Sequence, residues 1–382
     1  MIEKTQIDAI LKKYNKKEIT IATICSHSAL QIFHGAKQEN FRTLGICTND
    51  AQKKTYEAFP SSTPDEFLKV NSWKDIMDEK IQKELIKRNV IIVPHGSFVE
   101  YVGTDNLLDK FSVPMLGNRK SLEWESDRRK QRKWLEKSAG LEMPKEFSRN
   151  EIKEGKLYFV KFGGAKGGKG FFKIRSANQI DDELEKLVKM NVIKKSDVKS
   201  ITIQAYIPGS RYYHHFFFSP LSNEGWEIYS DGKLLGSITL MGIDRRDETN
   251  IDDLHRTGLN PSEMREMGIM PSYSVAGNTP LIARESQLPK VFDLAEKVVK
   301  ASAKLFPSGI TGPFCLETFF TPEMKYITFE ISCRIVAGTN LYPAGSPYTV
   351  YAYGDVALST GRRIAQEIKS AIKTNQLEKI IY

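Results

Sequence analysis

The sequence predicts an α/β fold, with an N-terminal Rossmann-like parallel-sheet domain and an α+β arrangement in the rest of the chain. Short apolar runs at 19–25 and 43–47 flank a segment with helical spacing at 29–39. This alternation of strand and helix signals is typical of a parallel sheet. Strand signals dominate 200–245, and a turn inside 312–334 predicts an antiparallel hairpin.

Polar loops follow two of the predicted parallel strands. The run at 19–25 leads into Ser26-His27-Ser28, and the run at 90–93 leads into Pro94-His95-Gly96-Ser97. Ligands of open parallel sheets bind at the carboxyl ends of the strands, so these loops are candidate substrate contacts. A third run at 113–116 is predicted as another strand of this sheet.

Four helices are predicted beyond the first sheet. They lie at 121–138, 180–190, 290–305 and 362–374. The first of them contains the basic run Arg-Arg-Lys-Gln-Arg-Lys at 128–133, whose acidic neighbours predict a solvated helix face.

Composition narrows the classes of function. The chain has 382 residues, too many for one ordinary core, with 27% charged and 40% hydrophobic residues. No apolar run approaches the roughly 20 residues that cross a bilayer, and no signal-peptide pattern is visible, so we expect a cytoplasmic protein without a membrane partner. The four cysteines form no CxxC pair and are expected to be reduced core residues. The net charge of +9 suits small anionic substrates, and no recognition module for nucleic acid is visible.

A glycine-rich loop at 163–170 is the first motif with chemical meaning. Glycine N–H groups can converge on an anion, and neighbouring lysines add positive charge. A P-loop is excluded because Gly170 stands where a Ser or Thr is needed and strand-like residues follow. A flap that closes over a nucleotide and a plain surface hairpin both remain open. The candidate phosphate-site residues are Lys161, Gly163, Gly164, Gly167 and Gly168.

The hairpin at 312–334 is the sharpest indication of chemistry. With its turn at 322–325, Glu317 lies directly opposite Glu330. Like charges in such a pair destabilise a sheet unless a cation lies between them, and Mg²⁺ prefers hard oxygen ligands of this kind. A pair of solvated surface carboxylates is the alternative.

Strand alternation assigns the other hairpin residues to two faces. Cys315, Phe319, Ser332 and Arg334 are predicted to share the face of the two glutamates, whereas the opposite face belongs to the core. The predicted core residues are Phe314, Leu316, Phe329 and Ile331. Arg334 could neutralise charge on a transferred phosphoryl group, which makes it a candidate catalytic residue.

These motifs, in this order, resemble the ATP-grasp superfamily, which has a lysine and glycine flap, a hinge strand and two magnesium carboxylates. Gln204 and Tyr206 would lie on the hinge beside adenine. One departure is Ser332, where many members carry an asparagine ligand. Within the superfamily the chain resembles, almost end to end, the archaeal formate-dependent 5-formaminoimidazole-4-carboxamide ribonucleotide synthetases of purine biosynthesis. The matching segments are 21–28, 94–98, the flap, 242–246, 271–278, 284–286, 312–315, 329–332 and 338–340.

The resemblance implies an ATP-grasp fold and a reaction. ATP would phosphorylate formate, and the amine of aminoimidazole carboxamide ribonucleotide (AICAR) would attack the formyl phosphate to give the formylated product (FAICAR), ADP and phosphate. It implies Mg²⁺, with Mn²⁺ as an alternative ion, and a homo-oligomer, trimeric or hexameric. The implied domains are a substrate-binding domain at 1–118, a small ATP-grasp subdomain with the flap at 119–205, and a large subdomain with the metal and phosphate site at 206–382.

The same resemblance assigns site residues by motif. Lys161 and Arg245 join Arg334 as catalytic residues, and Glu248 joins the ATP site. The residues assigned to AICAR are His27, Ser97, Asn278, Thr339 and Asn340. Taken alone, His27 could simply belong to a helix-capping loop, Ser97 could be an ordinary polar residue, and the matched His215 could be a structural histidine.

Three other functions remain open. Another ATP-grasp carboxylate–amine ligase, or a paralogue with a different acyl acceptor, would keep the ATP motifs and change the pocket at His27, Ser97 and Asn278. A regulatory nucleotide-binding module would be expected to lack one of the metal carboxylates, yet both are present. A basic nucleic-acid-binding protein would show salt-sensitive binding to duplex DNA.

Overall fold

The computed structural model describes residues 1–162, 171–189, 193, 198, 201–249, 256–259, 263, 267–269, 275–354 and 356–382. The glycine loop with Gly163, Gly164, Gly167 and Gly168 lies outside these residues, as does the matched segment at 271–274.

The described part of the chain contains strands in three sheets and helices around them. The strands are β1 (Thr20–Ile24), β2 (Arg42–Cys47), β3 (Glu66–Lys69), β4 (Val90–Ile92), β5 (Glu146–Phe147), β6 (Tyr158–Lys161), β7 (Phe171–Ile174), β8 (Thr202–Ala205), β9 (Ser210–Ser219), β10 (Trp226–Ser230), β11 (Lys233–Glu248), β12 (Val275–Pro280), β13 (Gly312–Phe320) and β14 (Tyr326–Ser332). The α-helices are α1 (Lys4–Leu11), α2 (Ala29–Gln38), α3 (Asp50–Glu57), α4 (Glu79–Lys87), α5 (Gly96–Val102), α6 (Thr104–Asp109), α7 (Arg119–Ser126), α8 (Arg128–Arg132), α9 (Gln179–Lys189), α10 (Leu288–Leu305), α11 (Pro347–Tyr353) and α12 (Thr360–Lys373).

The N-terminal sheet is parallel, with the strand order β3-β2-β1-β4. All five residues of β1 are buried, as expected for a strand with both faces covered. The predicted strand at 113–116 is reduced to single bridges. Met115 pairs with Ile92 in parallel, and Leu116 pairs with Ile381 in antiparallel. The predicted parallel sheet is therefore confirmed, and the C terminus extends its edge.

The helix α12 packs against α2 of the N-terminal region. A Cβ atom on Gly35 would lie 2.1 Å from the amide nitrogen of Arg362, and one on Gly361 would lie 2.0 Å from the carbonyl oxygen of Gln31. The two helices thus meet backbone to backbone, which only glycine permits. The predicted domain division stays a prediction, but in the structure the end of the 206–382 segment packs with 1–118.

The central sheet is antiparallel, with the order β10-β11-β9-β13-β14 and β12 paired with the far part of β11. A smaller antiparallel sheet has the order β5-β8-β6-β7 and carries α9. Together with the parallel sheet, these confirm the predicted α/β class with an α+β remainder.

The single helix predicted at 121–138 is wrong, because the chain breaks at Asp127. Asp127 has extended backbone angles, and its carboxylate accepts hydrogen bonds from the amides of Arg129 and Lys130. It therefore caps a new helix, α8, instead of continuing α7. A π-helical segment, Lys133–Ser138, follows α8.

No helix among the described residues is long and apolar enough to span a bilayer.

Candidate active site

The two glutamates of the hairpin lie opposite each other, as predicted. Glu317 on β13 pairs with Glu330 on β14. Glu317 is buried at 3% exposure, Glu330 is half-buried, and the hydroxyl of Ser332 lies 3.4 Å from Oε1 of Glu317. Burial, together with the charge of Glu317, raises the pKa of Glu330. The cationic side chains around this carboxylate pair therefore do not fully offset its burial and its charge repulsion.

A β-bulge beside this pair corrects one prediction. The register shifts between Glu317 and Thr318, so that Thr318 pairs with Thr328 and Phe329 has no partner opposite it. The ring of Phe329 lies 4.6 Å from that of Phe319 and packs with Tyr213 and Cys315. Phe329 is thus on the face of the glutamates and not on the core face, because the extra residue reverses the alternation locally.

Lys161, at the end of β6 in the small sheet, lies near the carboxylate pair, and we call the space between Lys161 and the pair the cleft. Its Nζ lies 5.8 Å from the centre of the Phe329 ring. Desolvation and the nearby charge of Arg128 lower the pKa of Lys161 to about 8, while Glu330 and Glu317 oppose this shift. The structure thus brings Lys161 to the carboxylate pair, and Arg128 of the basic run contributes charge to the cleft.

On β11 the structure places Arg246, and not the predicted Arg245, at the carboxylates. Nη2 of Arg246 donates to Oε1 of Glu317 at 2.8 Å, and its guanidinium lies 3.9 Å from the centre of the Tyr213 ring. The side chain of Arg245 is 59% exposed and lies 3.8 Å from Asp247. Successive strand residues point to opposite faces, so only one of the two arginines can face the cleft.

Glu248 lies two residues beyond Arg246 on the same face of β11. Its carboxylate forms an ion pair with Arg211 of β9. Glu248, which was predicted at the ATP site, therefore faces the cleft. Because alternate residues of a strand share a face, the sequence could have placed Glu248 on the same side as Arg246, not Arg245.

Arg334 follows β14 and is held by an unpredicted partner. Its Nη2 lies 3.5 Å from Oε1 of Glu125 at the end of α7. Glu125 also accepts a hydrogen bond of 2.7 Å from the amide of Cys333, and burial raises the pKa of Glu125. The helix α7 thus fixes the direction of Arg334, which no local sequence pattern indicated.

The strand-end loops of the parallel sheet meet beside Arg334. The hydroxyl groups of Ser26 and Ser97 lie 3.1 Å apart. A Cβ atom on Gly96 would lie 3.1 Å from Nε2 of His27 and 3.5 Å from Cζ of Arg334. His27 and Ser97 are therefore neighbours, as the topology predicts, and both lie close to the cleft residue Arg334.

His27 is an uncharged histidine in a cationic setting. It adopts a left-handed conformation with φ of 51°, and its ring stacks on that of His95 at 5.5 Å. Desolvation, followed by the charges of Arg334 and Arg246, lowers the pKa of His27 to about 4. A neutral imidazole can both donate and accept a hydrogen bond, and Nδ1 already lies 2.8 Å from the hydroxyl of Ser28.

Asn278 belongs to a buried network that the sequence did not reveal. Its amide nitrogen donates to Asp244 at 2.6 Å, and Nε2 of His215 lies 2.5 Å from the other oxygen of Asp244. A Cβ atom on Gly338 would lie 2.3 Å from Asp244. The network therefore orients Asn278 and supports the turn that carries Thr339.

Thr339 and Asn340 tie the central sheet to α2. The side-chain nitrogen of Gln31 lies 2.7 Å from the hydroxyl of Thr339 and 2.7 Å from the side-chain oxygen of Asn340. Thr339 is buried and donates to the carbonyl of Val336. Its hydroxyl proton is thus already used, whereas Asn340 is exposed.

The predicted hinge residues lie at the end of β8, with Gln204 inside this strand and Tyr206 directly after it. The amides of Ala205 and Tyr206 donate to the carbonyls of Lys145 and Leu157. The side-chain nitrogen of Gln204 lies 3.2 Å from Glu146, and the ring of Tyr206 lies 5.4 Å from that of Phe159. These hinge amides are therefore occupied within the small sheet.

The residues present fit a divalent cation bound together with phosphate. The described residues contain no cluster of three acidic, histidine or cysteine side chains that would form a complete metal site. Glu317 and Glu330 supply hard oxygens from one face, and burial, followed by the charge of Glu317, raises the pKa of Glu330, an effect that a bound cation would oppose. Mg²⁺ commonly takes one or two carboxylates and completes its shell with phosphate oxygens and water.

Comparison with family models gives two matches. Residues 21–147 match a family described as a protein of unknown function (DUF1246), and residues 179–382 match a domain of unknown function (DUF1297). The chain is also 51% identical over 381 residues to the 5-formaminoimidazole-4-carboxamide-1-(beta)-D-ribofuranosyl 5'-monophosphate synthetase of Methanosarcina acetivorans, covering 100% of both chains. A protein of the same name from Korarchaeum cryptofilum is 46% identical over 382 residues, with the same coverage.

Solved structures show the same fold. The IMP biosynthesis protein PurP from Thermococcus kodakaraensis superposes with a TM-score of 0.69 and 27% identity, over 95% of this chain and 100% of that chain. The biotin carboxylase domain of Hydrogenobacter thermophilus 2-oxoglutarate carboxylase, in complex with MgADP, ADP and bicarbonate, gives a TM-score of 0.59 at 13% identity, over 91% of this chain and 69% of that chain. The second likeness concerns the fold alone and confirms the ATP-grasp prediction. With relatives of about 50% identity along its whole length, the chain belongs to the 5-formaminoimidazole-4-carboxamide-1-(beta)-D-ribofuranosyl 5'-monophosphate synthetases, a family of ligases with the ATP-grasp fold.

Proposed function

We propose that this protein is an ATP- and formate-dependent ligase that formylates AICAR to FAICAR in purine (IMP) biosynthesis. The observation that carries the proposal is the cross-strand pair of Glu317 and Glu330, with Lys161 and Arg246 beside it and the His27 loop within reach. The names of the relatives support the identity of the nucleotide, and the residues below support the chemistry.

The reaction has two steps. A carboxylate oxygen of formate attacks the γ-phosphorus of ATP, and the bond from that phosphorus to the bridging oxygen breaks, which gives formyl phosphate and ADP. The 5-amino nitrogen of AICAR then attacks the formyl carbon. The bond from that carbon to the phosphate oxygen breaks, and the amine loses one proton, so that FAICAR and phosphate remain.

Glu317 and Glu330 would hold Mg²⁺, with Mn²⁺ as an alternative ion. When bound, the cation would neutralise charge on the ATP phosphates. Lys161 would bind the phosphates from the opposite wall together with the flap glycines Gly163, Gly164, Gly167 and Gly168. Arg334, directed by Glu125, would face the charge that develops on the transferred phosphoryl group.

The hinge and the strand-end loops would bind the two nucleotides. Gln204 and Tyr206 would contact the adenine part of ATP. Glu248, which is held in place by its ion pair with Arg211, would also contact ATP. The residues proposed for AICAR are His27, Ser97, Asn278, Thr339 and Asn340. Of these, Thr339 acts through Gln31 and the turn at 337–341, because its own proton is already donated.

The same proposal places the enzyme in the cytoplasm, with small molecules as its substrates and with homo-oligomers, trimers or hexamers, as its assembly. Large apolar side chains on the surface support self-association. Tyr351 is 83% exposed and Ile282 is 68% exposed, and a second copy could cover them.

The test is ADP release from ATP and Mg²⁺, with formate and AICAR omitted in turn. We expect full turnover only when both are present, and FAICAR as the product. ADP release that depends on a different carboxylate or amine would instead identify another ATP-grasp carboxylate–amine ligase or a paralogue. No ADP release with any of these substrates would reject the proposal.

A further inference from the structure

Arg246 donates a hydrogen bond directly to one member of the carboxylate pair and has no role in the proposed reaction so far. It extends from β11, and Nη2 donates to Oε1 of Glu317 at 2.8 Å. Its side chain is 28% exposed, whereas that of Glu317 is 4% exposed. The arginine is therefore both anchored in the cleft and open to a small molecule.

The position of the guanidinium is fixed by an aromatic ring. Cζ of Arg246 lies 3.9 Å from the centre of the Tyr213 ring, close enough for a cation–π contact. Tyr213 is itself buried and pairs with Glu317 across β9 and β13. The ring packs on the guanidinium, and Nη2 at its edge donates to Glu317.

The edge of this guanidinium already binds a carboxylate in the structure. A guanidinium has five N–H donors, and the hydrogen bond to Glu317 uses one of them. If Glu317 turns its oxygens to a divalent cation, the guanidinium loses this partner. An exogenous carboxylate can then take the same place, since arginine binds carboxylates through two parallel N–H···O bonds.

Arg246 also lies between the two substrate regions of the cleft. On one side it contacts Glu317 of the metal pair, and on the other side its charge contributes to the lowered pKa of His27. Formate must sit between the γ-phosphate and the AICAR amine, which are proposed for these two regions. Formate has no side chain to recognise, so its binding energy must come from its two oxygens.

The other cations that the structure describes at the cleft are differently engaged. Arg211 forms an ion pair with Glu248, and Arg128 acts on Lys161 and Glu330 at the side of the small sheet. Arg334 is directed by the carboxylate of Glu125 at 3.5 Å. Lys161 lies over the ring of Phe329 on the wall of the small sheet. On this ground, and on the basis of the proposed ligase reaction, we infer that Arg246 is the residue that binds the carboxylate of formate, in the place that Glu317 occupies on the guanidinium in this structure.

The experiment compares Arg246→Gln and Arg246→Lys with Arg42→Gln. Arg42 begins β2 of the parallel sheet, has a side chain that is 66% exposed and serves as the control with the same change of charge. We expect Arg246→Gln to raise the KM for formate by roughly 10- to 100-fold, the range for a lost charge-assisted pair, with the KM for ATP changed less than threefold. Arg246→Lys keeps the positive charge but lacks the planar guanidinium. Its KM for formate should therefore lie between those of the wild type and Arg246→Gln.

Binding without turnover provides the second readout. Equilibrium dialysis of radiolabelled formate against the protein with Mg²⁺ and ADP should show binding to the wild type and to Arg42→Gln, and at least tenfold weaker binding to Arg246→Gln. An unchanged KM for formate in both Arg246 variants would overturn the inference, as would a larger rise in the KM for ATP than in that for formate. If Arg246→Gln does not fold, the decision rests on Arg246→Lys in the same two assays. A wild-type enzyme whose ADP release does not depend on formate would instead reject the proposed function.

Discussion

Glu317 and Glu330 lie directly opposite each other across the β13–β14 hairpin, and one of them is almost completely buried. A sheet gains nothing from two like charges in this position. In the protein alone, the guanidinium of Arg246 compensates part of this charge through Glu317. The pair thus destabilises the metal-free sheet, and a bound cation would remove the repulsion between the two carboxylates.

This relationship predicts opposite effects of Glu330→Gln on stability and on activity. The substitution removes one of two carboxylates that repel each other. Burial and the charge of Glu317 raise the pKa of Glu330, which shows that its charged form is unfavourable in the fold. The metal-free variant should therefore be as stable as the wild type or more stable. Turnover should fall at least 1,000-fold, because a metal ligand is lost (an order-of-magnitude expectation of about 4 kcal/mol). Melting temperatures in EDTA and ADP release in Mg²⁺ would measure the two effects.

The control for this substitution is Glu323→Gln in the exposed turn of the same hairpin. It changes the net charge equally but leaves the carboxylate pair intact, so activity should stay within about twofold. Activity of Glu330→Gln within a few-fold of the wild type would show that the pair does not bind the metal.

The hairpin also shows how far the sequence could lead. Period-two alternation and one recognisable turn were sufficient to place Glu317 opposite Glu330. The β-bulge at Phe329 could not be predicted in the same way, because a bulge depends on how the strand fits its neighbours and not on its own residue pattern. Because of this bulge, Phe329 lies on the face of the cleft and not on the core face.

Arg246 was within reach of the same reasoning. Arg245 and Glu248 are three residues apart and cannot share a face of one strand, whereas Arg246 and Glu248 can. Motif matching selected Arg245, whereas the structure has Arg246 at the carboxylates. By contrast, the contacts Glu125–Arg334 and Gln31–Thr339 join residues more than 200 positions apart. No periodicity reports such contacts, since they arise only when separate elements pack together.

Buried histidines predict a loss of stability in acid. His95 and His214 are 0% exposed, and desolvation lowers the pKa of each to about 3. A histidine in the unfolded chain titrates near pH 6.5, so between that pH and pH 3 the unfolded state binds more protons. Each of these two histidines should therefore lower the free energy of unfolding by about 1.4 kcal/mol per pH unit as the pH falls through this window. His27, whose pKa is lowered to about 4, acts in the same direction, whereas Glu330, whose pKa is raised, acts in the opposite direction.

Urea unfolding at pH 7.5, 6.0 and 5.0 would measure this slope. His214→Asn removes one of these histidines, so its curve should be flatter than that of the wild type by about 1.4 kcal/mol per pH unit below pH 6. At pH 7.5 the effect of proton binding is small. The difference in unfolding free energy between the two proteins at this pH therefore measures the cost of losing the contact with Thr318. Parallel curves for the two proteins would contradict the prediction.

The contact between α2 and α12 predicts a large cost for one methyl group. Alanine favours a helix over glycine by about 1 kcal/mol, so Gly35→Ala would stabilise an isolated helix. Here the new Cβ atom would lie 2.1 Å from the amide nitrogen of Arg362 and 2.2 Å from the carbonyl carbon of Gly361, both backbone atoms. Relief requires the two helices to separate, at a cost of roughly 3 kcal/mol or more.

We therefore expect Gly35→Ala to lower the melting temperature by roughly 5 to 10 °C, whereas Lys37→Ala on the same helix should change it by less than about 2 °C. The helix α2 begins two residues after His27, so its displacement should also move the loop that we assign to AICAR. The KM for AICAR should rise more than that for ATP, whose proposed site lies between the two antiparallel sheets. An unaltered melting temperature would mean that the helices can separate at no cost, and a rise in the KM for ATP alone would place the effect outside the His27 loop.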